Sequence, residues 1–256
     1  MTLISNIKYN GVSQSFRSSS SLSSSGIDVV QQVEAKYPAL LFKQQLAAFV
    51  EKIYGILREN MKNDLSPLLS SCIKEHQTGN DNSEPTGSWL NIIECLNRYF
   101  KILKENYVPP VLIRKVFNQT FQYINAEIFN SLILQKECCT FNNGEYVKSG
   151  LAELEVWCTE ATEEYIGPSL DELNYSKQAV SFLVSEKKDE LSYDDLTNDI
   201  CPVLSSQQLY RICTLYSDEN DNAKSVSSDV TSRLKLLMTD DTGDDEQSYM
   251  LEDNSR

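Results

Sequence analysis

The residues best suited to chemistry lie in one stretch, Glu137–Leu151, which reads ECCTFNNGEYVKSGL. Its two adjacent cysteines and its Asn-Asn-Gly turn signal could form a metal or redox site, a catalytic corner, or a joint between two helices. Neighbouring thiolates on a helix point in different directions, and a disulfide between neighbours is strained. The Cys-x-x-Cys spacing of zinc sites does not occur in the sequence. We therefore interpret Cys138 and Cys139 as small buried apolar residues.

The rest of the sequence offers little catalytic chemistry. The single histidine, His76, lies in a polar stretch typical of a loop, where it has no fixed partner. Phosphate-binding, dinucleotide-binding and nucleophile-elbow motifs are absent. Carboxylates such as those in EATEEY and DDLTNDI recur at helical spacings, which favours solvated helix faces. The sequence thus predicts no catalytic, cofactor-binding or metal-binding residue, and no enzyme.

Composition narrows the classes of partner. The 256 residues carry a net charge of −14, and the pI is about 4.6. So acidic a chain repels phosphate backbones and anionic membrane surfaces, which argues against both as direct ligands. No apolar run approaches the roughly 20 residues of a membrane helix, and no signal peptide is evident. We expect a cytoplasmic chain whose seven cysteines are reduced.

Apolar periodicity predicts an all-α fold, an elongated multi-helix bundle around one long central helix. The central segment, VLIRKVFNQTFQYINAEIFNSLILQ, is apolar on several sides, as expected for a helix packed by several others. One predicted stripe contains Ile113, Phe117, Phe121, Ile124, Ile128 and Leu132, and a second contact area contains Val116, Tyr123 and Phe129. An earlier amphipathic segment carries a stripe of Leu41, Leu46, Phe49, Val50, Ile53, Ile56 and Leu57.

Three regions follow from this patterning. Residues 1–35 contain a serine run and are predicted to be a disordered, flexible linker. Residues 36–240 form the helical domain, with a break or kink at Pro67 and a loop over residues 74–88. Residues 241–256 are predicted to be a disordered acidic tail.

Turn and cap signals place the helix ends. The central helix is expected to run to about Glu137, with the two cysteines in its last turn. Residues 142–144 would supply the turn and the N-cap of the next helix. Capping-box pairs are expected at three later helix starts, namely Ser169 with Glu172, Ser192 with Asp195, and Ser205 with Gln208.

Three long blocks carry a family resemblance. They read VEAKYPALLFKQQLAAFVEKIYGILREN, NYVPPVLIRKVFNQTFQYINAEIFNSLILQKECCTFNNGEYVKSGLAELEVWC and CPVLSSQQLYRICTLY. Residues 33–240 resemble the globular tail of plant class XI myosins, including the dilute domain shared with class V myosins. The chain is similar only to the C-terminal part of that tail, mainly its second helical subdomain. The resemblance therefore implies apolar helix surface left uncovered.

The resemblance implies a cargo-binding tail for actin-based transport and cytoplasmic streaming. Its implied partners are membrane-anchored myosin receptors and Rab-type GTPases on vesicles or organelles, and also the other tail subdomain. It implies no nucleic acid partner, no membrane insertion and no cofactor. The chain would lie in the cytoplasm, held on vesicles, organelles or the actin cytoskeleton by its partners. The alternative is a motor-less fragment that competes with intact myosins or has lost function.

The resemblance also suggests binding residues. By alignment with class V relatives, a vesicle-docking patch falls near Glu145 and Ser149, with Ser181 and Val184 opposite. Tyr146 could add an aromatic anchor and Lys148 a charge. Inward packing of Tyr146 and simple solvation of Lys148 remain the alternatives for these two residues.

Overall fold

All regular secondary structure among the described residues is helical. The computed structural model describes residues 38–73, 86–161, 165–217, 226–240 and 249–252. The serine-rich segment 1–35, His76 and most of the predicted loop lie outside these ranges. The helices are α1 Pro38–Cys72, α2 Thr86–Glu105, α3 Pro110–Leu134, α4 Phe141–Glu160, α5 Asn174–Leu183, α6 Ser206–Leu215 and α7 Ser228–Asp240.

By its contacts the chain divides into two units, Met1–Gln45 and Leu46–Arg256. The described part of the first unit is the opening of α1, where Leu40, Leu41 and Phe42 are exposed. All described residues from Leu46 onward belong to the second unit.

Helix α3 lies at the centre of the second unit. It packs against α5, α6 and a short 3₁₀ segment, Gly167–Leu173. Both predicted apolar areas are buried: the six residues of the first stripe are at most 1% exposed, and the second area is also covered. The prediction of a central helix surrounded on several sides is confirmed, because apolar side chains around most of a helix need several packing partners.

An aromatic cluster joins α2, α3 and α4. The rings of Phe100, Phe117 and Trp157, one from each helix, have centroids 5.6–6.3 Å apart. The indole N–H of Trp157 donates to Asn97 Oδ1 on α2 at 2.6 Å, so the ring is buried without an orphaned donor. This cluster holds α4 against α2 and α3.

Helix α1 continues through Pro67 to Cys72, so of the predicted break or kink the break is wrong. Leu65, Leu69 and Cys72 are buried on either side of the proline. A proline inside a helix removes one backbone hydrogen bond. Burial of the apolar face around it outweighs this loss, and the helix continues.

Two of the three predicted capping boxes are present. Ser205 and Gln208 cap α6 reciprocally. Ser192 and Asp195 do the same ahead of a π-helical turn, Asp195–Ile200, and the hydrogen bonds from Ser192 hold the pKa of the Asp195 carboxyl below its usual value. The third predicted box, Ser169 with Glu172, does not form, because the Ser169 hydroxyl is buried and hydrogen-bonded elsewhere.

The Ser169 hydroxyl donates instead to Asn118 Oδ1 of α3, while Glu172 accepts from the Asn118 amide at 3.2 Å. Both residues of the expected cap therefore bind a single side chain of the central helix. Helix α5 starts only at Asn174, after the 3₁₀ segment.

The C-terminal segment carries an unexpected contact. Four residues of the segment predicted to be disordered are described, Tyr249–Glu252. Hydrogen bonds with Asn130 and Gln208 hold their main chain against α3 and α6. The prediction of disorder does not apply to these four residues, because side chains far away in sequence bind their main chain.

Within the described ranges, no helix combines the length and the apolar character needed to cross a membrane.

Candidate partner-binding surface

The stretch with two cysteines is a joint between helices. Helix α3 ends at Leu134, one 3₁₀ turn follows at Lys136–Cys138, and α4 begins at Phe141. The N-cap of α4 is Thr140, whose hydroxyl accepts the Asn143 N–H at 3.2 Å. The predicted helix end at about Glu137 and the predicted cap within residues 142–144 are thus wrong by a few residues.

Asn143 has a different role, as a buried link. Its side-chain amide donates to the carbonyl oxygens of Ile73, at 3.0 Å, and Cys138, at 2.8 Å. Ile73 directly follows α1, and Cys138 ends the 3₁₀ turn. One amide therefore fastens two chain segments to the first turn of α4, and a buried amide group satisfied in this way rigidifies its surroundings.

The two cysteines are fully buried, as the sequence predicts, and neither forms a disulfide. Burial, together with the neighbouring Cys213 and Cys138 thiols, raises the pKa of Cys139 to about 12, against a lowering effect of the Lys188 ammonium. A thiol with so high a pKa is protonated at neutral pH and is a poor nucleophile. Among the described residues, no three His, Cys, Asp or Glu side chains come together as a metal site.

Gly144 allows α4 to approach α5 closely. A Cβ atom at Gly144 would lie 2.7 Å from Leu183 Cβ and 3.2 Å from Val184 Cγ1. An ion pair between Lys177 of α5 and Glu155 of α4, at 2.6 Å, joins the same two helices further along. We call the junction of residues 140–149 with residues 181–188 the α4–α5 corner.

A buried lysine lies inside this corner and stabilises it. Lys188 is 2% exposed, and its ammonium donates to the carbonyl oxygens of Leu183, at 2.8 Å, and Ser185. Three aromatic rings surround the ammonium, with Tyr216 at 4.2 Å and Phe141 and Phe182 each at 5.7 Å. Carbonyl oxygens and ring faces are both attractive to a cation. Lys188 thus ties the end of α5 to the start of α4.

Sequence reasoning missed Lys188 and the linking role of Asn143. Lys188 lies in SEKKDE, a run that reads as solvent-exposed, and no local signal separates it from exposed Lys187. Its burial depends on rings contributed by three separate elements.

The six predicted binding residues all lie at or beside this corner, and most of them face solvent. Their placement is as follows: Glu145, Lys148, Ser149 and Ser181 are exposed, whereas Tyr146 and Val184 are half-buried and pack against the core.

The exposed side chains among these six residues make only weak intramolecular contacts. Lys148 and Glu145 form an ion pair at 3.4 Å on the surface of α4, and Ser181 donates to Lys177 O of its own helix at 2.8 Å. Exposed ion pairs of this kind stabilise a fold by only about 0–1 kcal/mol. Their groups are therefore available to a partner, and the backbone beneath them is fixed by Asn143 and Lys188.

A protein-family model and several known proteins are similar to this chain. The DIL domain family matches residues 115–220. Myosin-6 of Arabidopsis thaliana is 51% identical over 96% of this chain, and Myosin-8 of the same plant is 53% identical over 94%. The chain spans only 18% and 17% of the lengths of these two relatives.

Solved structures share the fold. Myo2-GTD in complex with Mmr1 has a TM-score of 0.69 at 18% identity, over 85% of this chain and 52% of that one. Myo2-GTD in complex with Inp2 has a TM-score of 0.68 at 17% identity, over 85% and 53%. The globular tail of Myo4p has a TM-score of 0.60 at 22% identity, over 79% and 57%.

Proposed function

We propose that this chain binds cargo for actin-based transport, because residues 115–220 match the DIL domain family and the chain is about 50% identical to plant myosins over most of its length. The family match at residues 115–220 is to the DIL domain, and the proposed role is binding, which requires no enzymatic activity of this chain. The proposed partners are membrane-anchored receptors and Rab-type GTPases, which would hold the chain on cytoplasmic vesicles or organelles.

The observation that carries the proposal is the α4–α5 corner. It presents the polar side chains of Glu145, Lys148, Ser149 and Ser181 on a backbone fixed by buried hydrogen bonds. A rigid surface loses little conformational entropy when a partner binds. The fold of the chain is also that of Myo2-GTD, a protein solved in complex with Mmr1 and with Inp2.

Two arginine substitutions at the corner test this proposal. We expect Glu145→Arg with Ser149→Arg to reduce co-sedimentation with plant vesicles about tenfold. The two bulky cations would remove the contacts of the original side chains, and a tenfold loss corresponds to ~1.4 kcal/mol of binding free energy. The measurement is the bound fraction of the purified chain, with helicity checked by circular dichroism. Capture of Rab-type GTPases loaded with GTP is measured in parallel.

Asp229→Arg with Ser232→Arg on α7 serves as the matched control, since both positions are exposed and the change in charge is the same. This control is expected to bind vesicles like the parent chain. Equal binding by the corner variant and the parent would contradict the proposed site.

A second candidate partner is the other tail subdomain. Residues Leu46, Phe49, Val50, Ile53 and Ile56 form an apolar face of α1, and Phe49 and Ile53 are 64% and 65% exposed. Contiguous exposed apolar surface marks interaction sites or an association liability. The solved globular tails are also about twice as long as the part that this chain covers.

We expect the chain to co-elute in size-exclusion chromatography with a separately produced first subdomain of a class XI tail. Phe49→Lys with Ile53→Lys should abolish the co-elution, because burying two lysines in an apolar contact is unfavourable. Glu59→Lys with Asn63→Lys, at exposed polar positions of the same helix, should preserve it. Co-elution that survives the first pair of substitutions would exclude this face.

A further inference from the structure

The segment Tyr249–Glu252 is bound through its main chain. Asn130 of α3 pairs its side-chain amide with a single residue, accepting the Leu251 N–H at 2.8 Å and donating to the Leu251 carbonyl at 3.0 Å. A carboxamide has both a donor N–H and an acceptor oxygen, so it can make both bonds at once. Such pairing recognises a peptide backbone whatever the residue bound, so the seat is not restricted to this chain's own tail.

A second anchor comes from α6. Gln208 donates to the Tyr249 carbonyl at 3.0 Å, and the Arg211 guanidinium lies over the Tyr249 ring at 4.8 Å. The side chains of Tyr249 and Leu251, two residues apart, both pack against the core. The seat therefore combines main-chain hydrogen bonds with places for an aromatic and an aliphatic side chain, the usual division of labour in peptide recognition.

The charges around the seat do not favour its present occupant. A cavity of about 300 Å³ adjoins Leu251, and its lining includes Asp171 and Glu172 of the 3₁₀ segment together with Glu252 of the tail. The tail thus adds a third carboxylate to a site that already holds two. Like charges repel, and more so near a low-dielectric surface than in water. A lysine or arginine in place of Glu252 would be attracted instead.

The tail has the further advantage that it belongs to the same chain as its seat. Only residues 241–248 separate the end of α7 from Tyr249. A short tether gives a local concentration in the millimolar range, so even a weak ligand occupies its site. A free ligand must therefore bind better than the tail in order to replace it.

We propose that the surface formed by Asn130, Gln208 and Arg211 is a docking site for a partner protein's peptide segment of the form Tyr-x-Leu-Lys or Tyr-x-Leu-Arg. The chain's own Tyr249–Glu252 is a weak internal occupant that this segment displaces. The site is separate from the α4–α5 corner and does not rest on the cargo role proposed for it.

The probe for this site is a fluorescent peptide, Ser-Tyr-Met-Leu-Lys-Asp-Asn, which copies residues 248–254 with Glu252→Lys. Its binding to the full chain is measured by fluorescence anisotropy at low and moderate salt. Tyr249→Ala with Leu251→Ala in the chain should raise the peptide's affinity about tenfold, because the internal competitor is lost. The peptide that keeps Glu at its fifth position should bind several-fold more weakly, and salt should reduce that difference.

Asn130→Asp, made in the chain that already carries Tyr249→Ala and Leu251→Ala, should reduce peptide binding at least tenfold. A carboxylate cannot donate to the peptide carbonyl. Arg211→Met is a second test of the seat and should weaken binding through the lost ring contact. Asp171→Asn with Glu172→Gln should remove the preference for the lysine peptide. Circular dichroism confirms that each variant is folded.

Two results would overturn the proposal: peptide affinity that does not rise when the tail residues are replaced, or binding that is unchanged by both Asn130→Asp and Arg211→Met. The corner variant with Glu145→Arg and Ser149→Arg should bind the peptide normally. A failure of the peptide site and a failure of the cargo-binding corner are therefore distinguished in one set of measurements.

Discussion

Replacing Gly150 with alanine is expected to destabilise the chain by ~3 kcal/mol or more, at or above the upper end of the usual range for an overpacked core. Gly150 is buried in α4, and a Cβ atom there would overlap the indole ring of Trp89 on α2. Trp89 is 1% exposed, so its ring is enclosed by other parts of the core. Relief would require α2 and α4 to separate. The measurement is the free energy of unfolding from urea titration, followed by circular dichroism.

The same substitution at Gly55 provides the control. A Cβ atom at Gly55 on α1 meets no atom within 4 Å. Alanine is favoured over glycine in a helix interior by about 1 kcal/mol, so Gly55→Ala should be neutral or stabilising. Opposite signs at the two glycines are the expected result. A small or favourable effect at Gly150 would mean that Trp89 does not pack against that face of α4.

Replacing Asn143 with aspartate is the second large effect that we expect. The substitution preserves shape but removes the N–H groups that satisfy Ile73 O and Cys138 O. Each buried acceptor left unpaired costs about 1–3 kcal/mol, and a buried carboxylate facing carbonyl oxygens adds a desolvation penalty. We expect a loss of ~3–5 kcal/mol at pH 7, measured by urea unfolding.

The pH dependence of this loss has a definite sign. Burial and the nearby carbonyl oxygens raise the folded-state pKa of an aspartate at position 143 above its unfolded value. The variant should therefore lose stability relative to the parent as pH rises from 4 to 7. Asn142→Asp, at the exposed neighbouring position, should change stability by less than about 0.5 kcal/mol. Equal effects at positions 142 and 143 would contradict the buried role of Asn143.

The sequence was sufficient for features that depend on periodicity. The stripe from Ile113 to Leu132 repeats at three- and four-residue steps, and all of its members are buried in α3. The caps at Ser192 and Ser205 were equally local, because both partners lie within one turn. Such features need no knowledge of distant residues, so they can be read from a single window of the chain.

The start of α4 shows why other features could not be predicted. Thr140 and Asn143 are both good cap residues, and local propensity does not separate them. The choice is made by Ile73 O, 70 residues away, which takes the Asn143 amide as its donor. Thr140 is then the cap.

The exposure of residues at the proposed site was predictable from the sequence, whereas the buried contacts beneath them were not. Exposure of Glu145, Lys148 and Ser149 follows from the pattern of α4. The burial of Lys188 does not follow from any pattern, because charged residues are almost never fully buried unless long-range contacts satisfy them. The seat of Leu251 depends likewise on Asn130, 121 residues earlier.

Helix α6 connects the two surfaces described above. Gln208 and Arg211, near its start and middle, hold the tail segment, and Tyr216, directly after its end, covers the Lys188 ammonium beneath the corner. Its ten residues span only about 15 Å. A peptide that replaces the tail and shifts this helix would change the affinity of the corner for cargo. Cargo binding must then change the affinity of the seat for the peptide by the same factor, because thermodynamic linkage is reciprocal.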